Sequence, residues 1–242
     1  LSFSGGGGAG ASAGSFDATG TLLRFGGGVF NLTAGTSITA TTVDFAGATV
    51  NHAGTYNVTA TTTVGNGTAN FTGTVTSVGT LLAISGGTAN FSSGETIQPT
   101  TLTLTSGTLT GSDTVTVSGA TTWSGGSMSG TGTTNLNGAV TIDTAAQKSL
   151  SRIVNTTATT AWTAGNIRIF VAGGVFNNSG TFDAQPAAAT IFDAGLFNNT
   201  GLFKRTVSPA NLVVSSQFDN DGTVDVQIGE LSLSGGGGAG TS

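Results

Sequence analysis

Cysteine is absent from the 242 residues, so neither a disulfide nor a thiolate-metal site can form within them. Charge is almost as scarce. Only 7% of residues are charged, against a usual quarter, and the formal net charge is −5. Arg24, Lys148, Arg152, Arg168, Lys204 and Arg205 are all the cations there are. They are scattered, which leaves no basic stripe to neutralise phosphates and argues against nucleic-acid binding. His52 is the single histidine, so neither a catalytic triad nor a zinc site can be assembled from this sequence alone. It is expected at a turn. No apolar run approaches the roughly 18 residues of a membrane span, and no signal peptide is visible.

Glycine, by contrast, supplies 41 residues, and threonine and serine are abundant. Such a composition is compatible with disorder, but 37% of the chain is apolar and arrives in short β-branched bursts, which argues for a packed core. Thr101-Leu-Thr-Leu-Thr105, Thr114-Val-Thr-Val117 and Thr223-Val-Asp-Val226 alternate apolar and polar residues, the signature of half-buried strands. Gly, Asn, Asp or Ser closes each burst. The best helical stretch, Thr144–Leu150, is too short to matter and reads as an irregular connector.

Two periods are superimposed on this pattern. Leu231–Ser242 repeats Leu1–Ser12 at ten of twelve positions, an offset of 230 residues, so the chain is expected to be just over one unit of a tandem array. Within the unit, Gly27, Gly47, Gly67, Gly87 and Gly107 recur every 20 residues and Gly126 follows after 19. Gly67-Thr-Ala-Asn-Phe71 returns verbatim as Gly87-Thr-Ala-Asn-Phe91. Farther along the step is 21: Phe176-Asn-Asn-Ser-Gly180, Phe197-Asn-Asn-Thr-Gly201 and Phe218-Asp-Asn-Asp-Gly222 align.

Short strands and tight turns repeating at this interval predict an all-β chain, a parallel β-helix with about three strands per 20–22-residue coil and roughly eleven coils. An all-β sandwich also has short strands at regular spacing but does not predict fixed recurrence of the same residues at the same coil position. A single solenoid is expected over 1–242, with 20-residue coils over 27–143, the connector at 144–150, 21–22-residue coils over 151–230, and the next unit beginning at 231–242. Equivalent positions of successive coils stack about 4.8 Å apart. Phe71 is therefore expected on Phe91, and Phe176, Phe197 and Phe218 in one column. Asn70 with Asn90, and Asn177 with Asn198, are expected to form side-chain ladders of the kind identical stacked residues make.

The segments GTLTGSDTVTVSG (107–119), TWSGGSMSGTGTTNLNGAVTI (122–142), VFNNSGTFDAQ (175–185) and DNDGTVDVQIGELSLSGGG (219–237) resemble repeats of very large bacterial surface proteins of adhesin-like, haemagglutinin-like or autotransporter-like type. The resemblance covers nearly the whole chain. It implies a β-helical, exported, extracellular or cell-surface polypeptide, and it carries over no catalytic residue and no receptor.

Candidate chemistry is sparse. Asp219, Asp221 and Asp225 around Gly222 resemble part of a calcium loop. Lys204 replaces the last acid one coil earlier, which favours a recurrent turn that has drifted acidic. Gly5–Gly10 lacks the Lys-Ser/Thr of a phosphate loop and the repeated Asp of calcium-binding nonapeptides. Asp183 and Asp225 share a coil position, but Lys204 should lie between them, so the paired carboxylates of a glycosidase are not expected. Trp123, aligned with Leu104, is expected in the core, whereas Trp162 and Tyr56 are open to a sugar-stacking role. Asn31, Asn57, Asn66, Asn70, Asn90, Asn155, Asn177 and Asn198 begin Asn-x-Ser/Thr sequons, the ladder members being inaccessible to glycosylation. Outward threonine rows suit ice binding, but here Ser, Asn and Gly interrupt them.

These readings point to a structural, non-enzymatic segment of an extracellular or cell-surface fibre that needs no cofactor. Expected partners are neighbouring units of the same chain or identical subunits stacked head to tail. Polysaccharide or a cell surface is a further candidate, and a module binding either, a polysaccharide-degrading enzyme and an ice-binding protein stand as alternatives.

Overall fold

The computed structural model describes residues 1–6 and 10–237. Every regular element among them is a strand, and every strand pair is parallel. The strands form a β-solenoid of about eleven coils with about three strands per coil. The expected Leu231–Ser242 repeat of Leu1–Ser12 lies partly outside the described residues. The chain divides into two compact units, Leu1–Ser118 and Gly119–Ser242. In a solenoid each coil touches only its neighbours, so no single global core ties the whole length together.

In the first unit one sheet runs through Ser15–Phe25, Ser37–Phe45, Thr55–Val64, Leu81–Ile84 and Thr101–Leu104. A second runs through Val29–Leu32, Thr49–His52, Thr68–Phe71, Thr88–Phe91 and Thr108–Gly111. The early strands of the first sheet are long, up to 11 residues. Register shifts between Ala18 and Leu22 and between Ala40 and Thr42 bend them, so one strand serves two faces of its coil. The repeated Thr-Ala-Asn-Phe segments pair residue for residue, Thr68 with Thr88 through to Phe71 with Phe91.

The second unit has three distinct faces. One carries Thr121–Trp123, Val140–Ile142, Thr159–Trp162, Thr181–Ala184, Leu202–Arg205 and Thr223–Val226. Another carries Gly126–Met128, Lys148–Leu150, Ile167–Ile169, Thr190–Phe192, Asn211–Val214 and Glu230–Leu233. The third carries Thr133–Leu136, Ile153–Thr156, Val175–Asn178, Leu196–Asn199 and Gln217–Asn220. The 144–150 segment corrects expectation at its end. Lys148–Leu150 is a strand, paired with both Gly126–Met128 and Ile167–Ile169.

Alternation decides which side chains enter the coil, since successive residues of a strand face opposite ways. Phe71 and Phe91 stack with centroids 4.9 Å apart and planes 6° from parallel. Phe176 and Phe197 repeat the arrangement at 5.0 Å, and Phe197 and Phe218 at 5.5 Å. A second column, Phe182 on Phe203 at 5.3 Å, meets the first edge-on. Truncating one such buried ring costs about 3–5 kcal/mol in comparable cores. The turns between faces pack as tightly. A Cβ on Gly201 would lie 2.1 Å from the Gly180 carbonyl oxygen, and one on Gly222 equally close to that of Gly201, so glycine is required in this column.

Candidate functional site

The most regular chemical feature is a set of asparagine ladders. In the first unit Asn51 donates to Asn31 at 2.8 Å, Asn70 to Asn51 at 2.8 Å and Asn90 to Asn70 at 3.1 Å. Ser92 Oγ closes the series on Asn90 Oδ1. In the second unit Asn155 donates to Asn135, Asn177 to Asn155 and Asn198 to Asn177, all at 2.7–2.8 Å. The expected pairs Asn70/Asn90 and Asn177/Asn198 are thus members of longer series. These side chains point outward from strands whose phenylalanines point in.

A second ladder lies inside the second unit. Asn178 donates to Asn199 and Asn199 to Asn220, each at 2.7 Å. Asn178 and Asn199 are fully buried, and each also donates to a backbone carbonyl of the adjoining turn and to one of the next coil. Thr156 Oγ1 donates to Asn178 Oδ1. The inner ladder donates toward later coils and the outer one toward earlier coils. Parity with Phe176 and Phe197, two residues before each inner asparagine, is the sequence signal that places them inside.

The acidic motif is divided by the fold. Asp219 follows Asn198 in the outer ladder's register, and Asp221 sits in the turn beyond it. Both line a cleft of about 210 Å³ with Asn177, Asn198, Asn199 and Thr200. Asp225 lies on Thr223–Val226, where it stands in register with Lys204 and its carboxylate accepts a hydrogen bond from Gln227. No group of three or more Asp, Glu, His or Cys among the described residues is arranged to hold a metal.

Lys204 takes its expected place between Asp183 and Asp225 in the stack and forms its ion pair with Asp183, at 3.3 Å. Partly exposed, this link is worth at most about 1 kcal/mol. Arg24 with Asp44 at 3.4 Å, and Arg168 with Asp193 at 2.8 Å, are further cross-coil pairs. The Arg168 guanidinium also lies 4.0 Å from the centre of the Phe170 ring. Asp193 takes a left-handed φ of 81°, and its own carboxylate accepts from the Ala194 amide.

His52 is not at a turn. It ends the Thr49–His52 strand, in register with Leu32 before it and Phe71 after it, and is 1% exposed. Its Nε2 has no hydrogen-bond partner. Burial penalises the imidazolium and lowers the pKa from 6.5 to about 4. Tyr56 is buried beside it and shares a 2.8 Å hydrogen bond with Thr62. Trp123 and Trp162 are fully buried as well, and the Trp162 indole donates to the carbonyls of Ala164 and Gly165. None of these three aromatics is available to stack on a sugar.

The main feature missed by sequence reasoning is the set of buried cations in the second unit: Lys148, Arg152 and Arg205 are at most 1% exposed. Lys148 Nζ donates to the carbonyls of Asp143, Thr144 and Ala164. Arg205 donates to those of Ala184, Pro186 and Ala210, and Arg152 to that of Gly132. Each binds irregular connections to the coil wall through charge-assisted hydrogen bonds. Thr144, at a left-handed φ of 59°, belongs to one such connection. Lys148 shares strand parity with Leu150, and Arg205 with Phe203, so the alternation that fills the core also points these cations inward.

Comparison of the chain with protein-family models, with curated proteins and with solved structures finds no match.

Proposed function

We propose that this chain is a structural segment of an extracellular or cell-surface β-solenoid fibre, giving length, stiffness and attachment rather than catalysis. The observation that carries this reading is the continuity of the asparagine ladders and phenylalanine columns from coil to coil. Where they run, they repeat the same side-chain hydrogen bond or ring stack from one coil to the next, which makes each such coil a template for its neighbour. Polar side chains are largely spent on joining coils: the ion pairs of Arg24, Arg168 and Lys204, the ladders and the buried cations all link residues about one coil apart or tie a connection to the wall. Low charge leaves little repulsion between neighbouring rods. Neighbouring units of one chain, or identical subunits, would continue the stack.

Electron cryomicroscopy of the native material tests this. The expected image is a continuous rod with a strong repeat near 4.8 Å along its axis. Discrete globular particles would refute the fibre.

One observation favours a second reading, a module that binds polysaccharide or a host surface. Phe170 and Phe192 are only half-buried, and Arg168 lies between them and Asp193. Glycan-array binding that is lost in Phe192→Ala would favour this reading over a purely mechanical role.

A further inference from the structure

Leu231-Ser-Leu-Ser234 copies Leu1-Ser-Phe-Ser4 in all but its third residue. Each occurrence has a different neighbour. Ser2 and Phe3 stand in register with Arg24 and Phe25 of the following coil. Leu1 O accepts from Arg24 N–H at 2.8 Å, Phe3 O accepts from Gly26 N–H at 2.6 Å, and the Leu1 amine donates to the Leu22 carbonyl at 2.7 Å. Leu231 and Leu233 stand instead in register with Leu212 and Val214 of the preceding coil, and Ser234 N–H donates to Val214 O at 2.9 Å. Among the described residues, Ser2–Phe3 has no strand on its preceding side and Glu230–Leu233 none on its following side.

One strand can hold both sets of bonds. In a parallel ladder a residue directs its N–H and C=O to one neighbour, and the next residue directs them to the other. The first and third residues of the tetrapeptide, Leu1 and Phe3, serve the following coil, whereas the fourth, Ser234, serves the preceding one. No backbone group is claimed twice. The side chains agree. Leu231 and Leu233 lie over the buried Leu212 and Val214, and the Phe3 ring lies 5.8 Å from that of Phe25, 19° from parallel. The apolar positions thus face inward at both occurrences. Leu233 is nevertheless 49% exposed, since no later coil among the described residues covers it.

We propose that the open edge of Glu230–Leu233 docks on a second copy of this chain, seating on residues 22–25 of that copy in place of its own residues 1–4. One strand then belongs to two molecules, last in the sheet of Asn211–Val214 and first in that of Ser15–Phe25. Leu233 takes the seat of Phe3 against Phe16, Phe25 and Phe30. The strand it displaces is only two residues long, and Leu1 is 58% exposed, so little holds that strand in place. Exchange trades like for like and covers an edge that is otherwise open. Repeated head to tail, such a contact does not close and makes a filament. The proposal rests on the fibre reading and deepens it, in the form of many stacked chains.

The chain has no cysteine, so an engineered pair reports the contact without background. Ser232 is expected opposite Arg24 of the second copy, as Ser2 stands opposite Arg24 within one copy. Register partners on adjacent strands are about 4.8 Å apart, within disulfide reach. The 242-residue chain carrying Ser232→Cys and Arg24→Cys is oxidised and run on a non-reducing gel. Covalent dimers, trimers and longer products are expected, whereas each single variant should give at most a dimer. Adding Phe3→Ala, which loosens residues 1–4, should raise the linked fraction severalfold, and adding Leu233→Asp should abolish it. Circular dichroism melting checks that each variant is folded. Ser232→Cys with Asn31→Cys should give no such series, because Asn31 lies on the other sheet of the first unit. A series formed only with the cysteine at 31, or none at 24 even with Phe3→Ala, would overturn strand exchange. Electron cryomicroscopy of the same samples separates this from failure of the fibre: rods without links at 24 remove the proposed contact alone, and the absence of both rods and links removes both readings.

Discussion

His52 occupies the coil position that Phe71 fills one step later and Leu32 one step earlier, so a titratable ring stands in an otherwise apolar column. Its folded pKa of about 4 lies below the ordinary 6.5. Between these values the unfolded chain binds a proton that the folded chain does not, so stability falls as pH drops from about 6.5 to about 4. Below the folded pKa this contribution levels off. His52→Leu, which copies Leu32, should remove that part of the pH dependence. Melting temperatures measured between pH 7 and pH 4 (expected to fall further in the wild type than in His52→Leu) test it, and parallel curves for the two proteins would rule it out.

Phe91→Ala should cost about 3–5 kcal/mol, and Phe91→Asp more, because the ring stacked on Phe71 is fully buried. Urea unfolding followed by circular dichroism measures this. An unchanged transition in Phe91→Asp would contradict the register of the first unit.

Asn199→Asp and Asn177→Asp change the same atoms in two settings. Asn199 is buried in the inner ladder and donates to Asn220, whereas Asn177 is only half-buried. A carboxylate at 199 loses that donor and is desolvated, so a loss of about 2–4 kcal/mol is expected at pH 7. The loss should shrink as pH falls and the new acid protonates. At 177 the penalty should be smaller. Chemical denaturation at pH 7 and pH 5 distinguishes the two, and equal losses would argue against an inner ladder.

Lys148→Met keeps the aliphatic stem but strands the carbonyls of Asp143, Thr144 and Ala164. The expected cost is about 3 kcal/mol. Faster amide exchange should be concentrated in 143–166 and be small in the first unit. Uniform acceleration along the chain would show that Lys148 does not act locally.

The coil period was legible because glycine marks the turns and phenylalanine the core at constant spacing: Gly67 and Gly87, Phe71 and Phe91 announce their own register. The outer ladder followed from the same spacing. Polar residues that point inward did not, because composition assigns them to the surface. Lys148, Arg205, Asn178 and Asn199 are buried since strand parity binds them to Leu150, Phe203, Phe176 and Phe197. His52 was misread for a related reason. It follows an outward asparagine and precedes Ala53-Gly54, a turn-like context, yet it ends a strand whose alternating residues Val50 and His52 both face in.

The opposed senses of the two amide ladders in the second unit have an electrical consequence. Each hydrogen-bonded amide carries a dipole along its ladder, and aligned dipoles leave partial charges at the ends of a row, as they do in an α-helix. In the second unit the inner row opposes the outer one where both run, between the strands Val175–Asn178 and Leu196–Asn199. The first unit's ladder, Asn31 to Asn90, has no such inner counterpart of asparagines and so carries a direction. Its Asn31 end presents amide hydrogens, while at the Asn90 end the carbonyl is already taken by Ser92. A stack built from such coils has a head and a tail that differ in hydrogen-bonding sense, which gives its axis a built-in arrow.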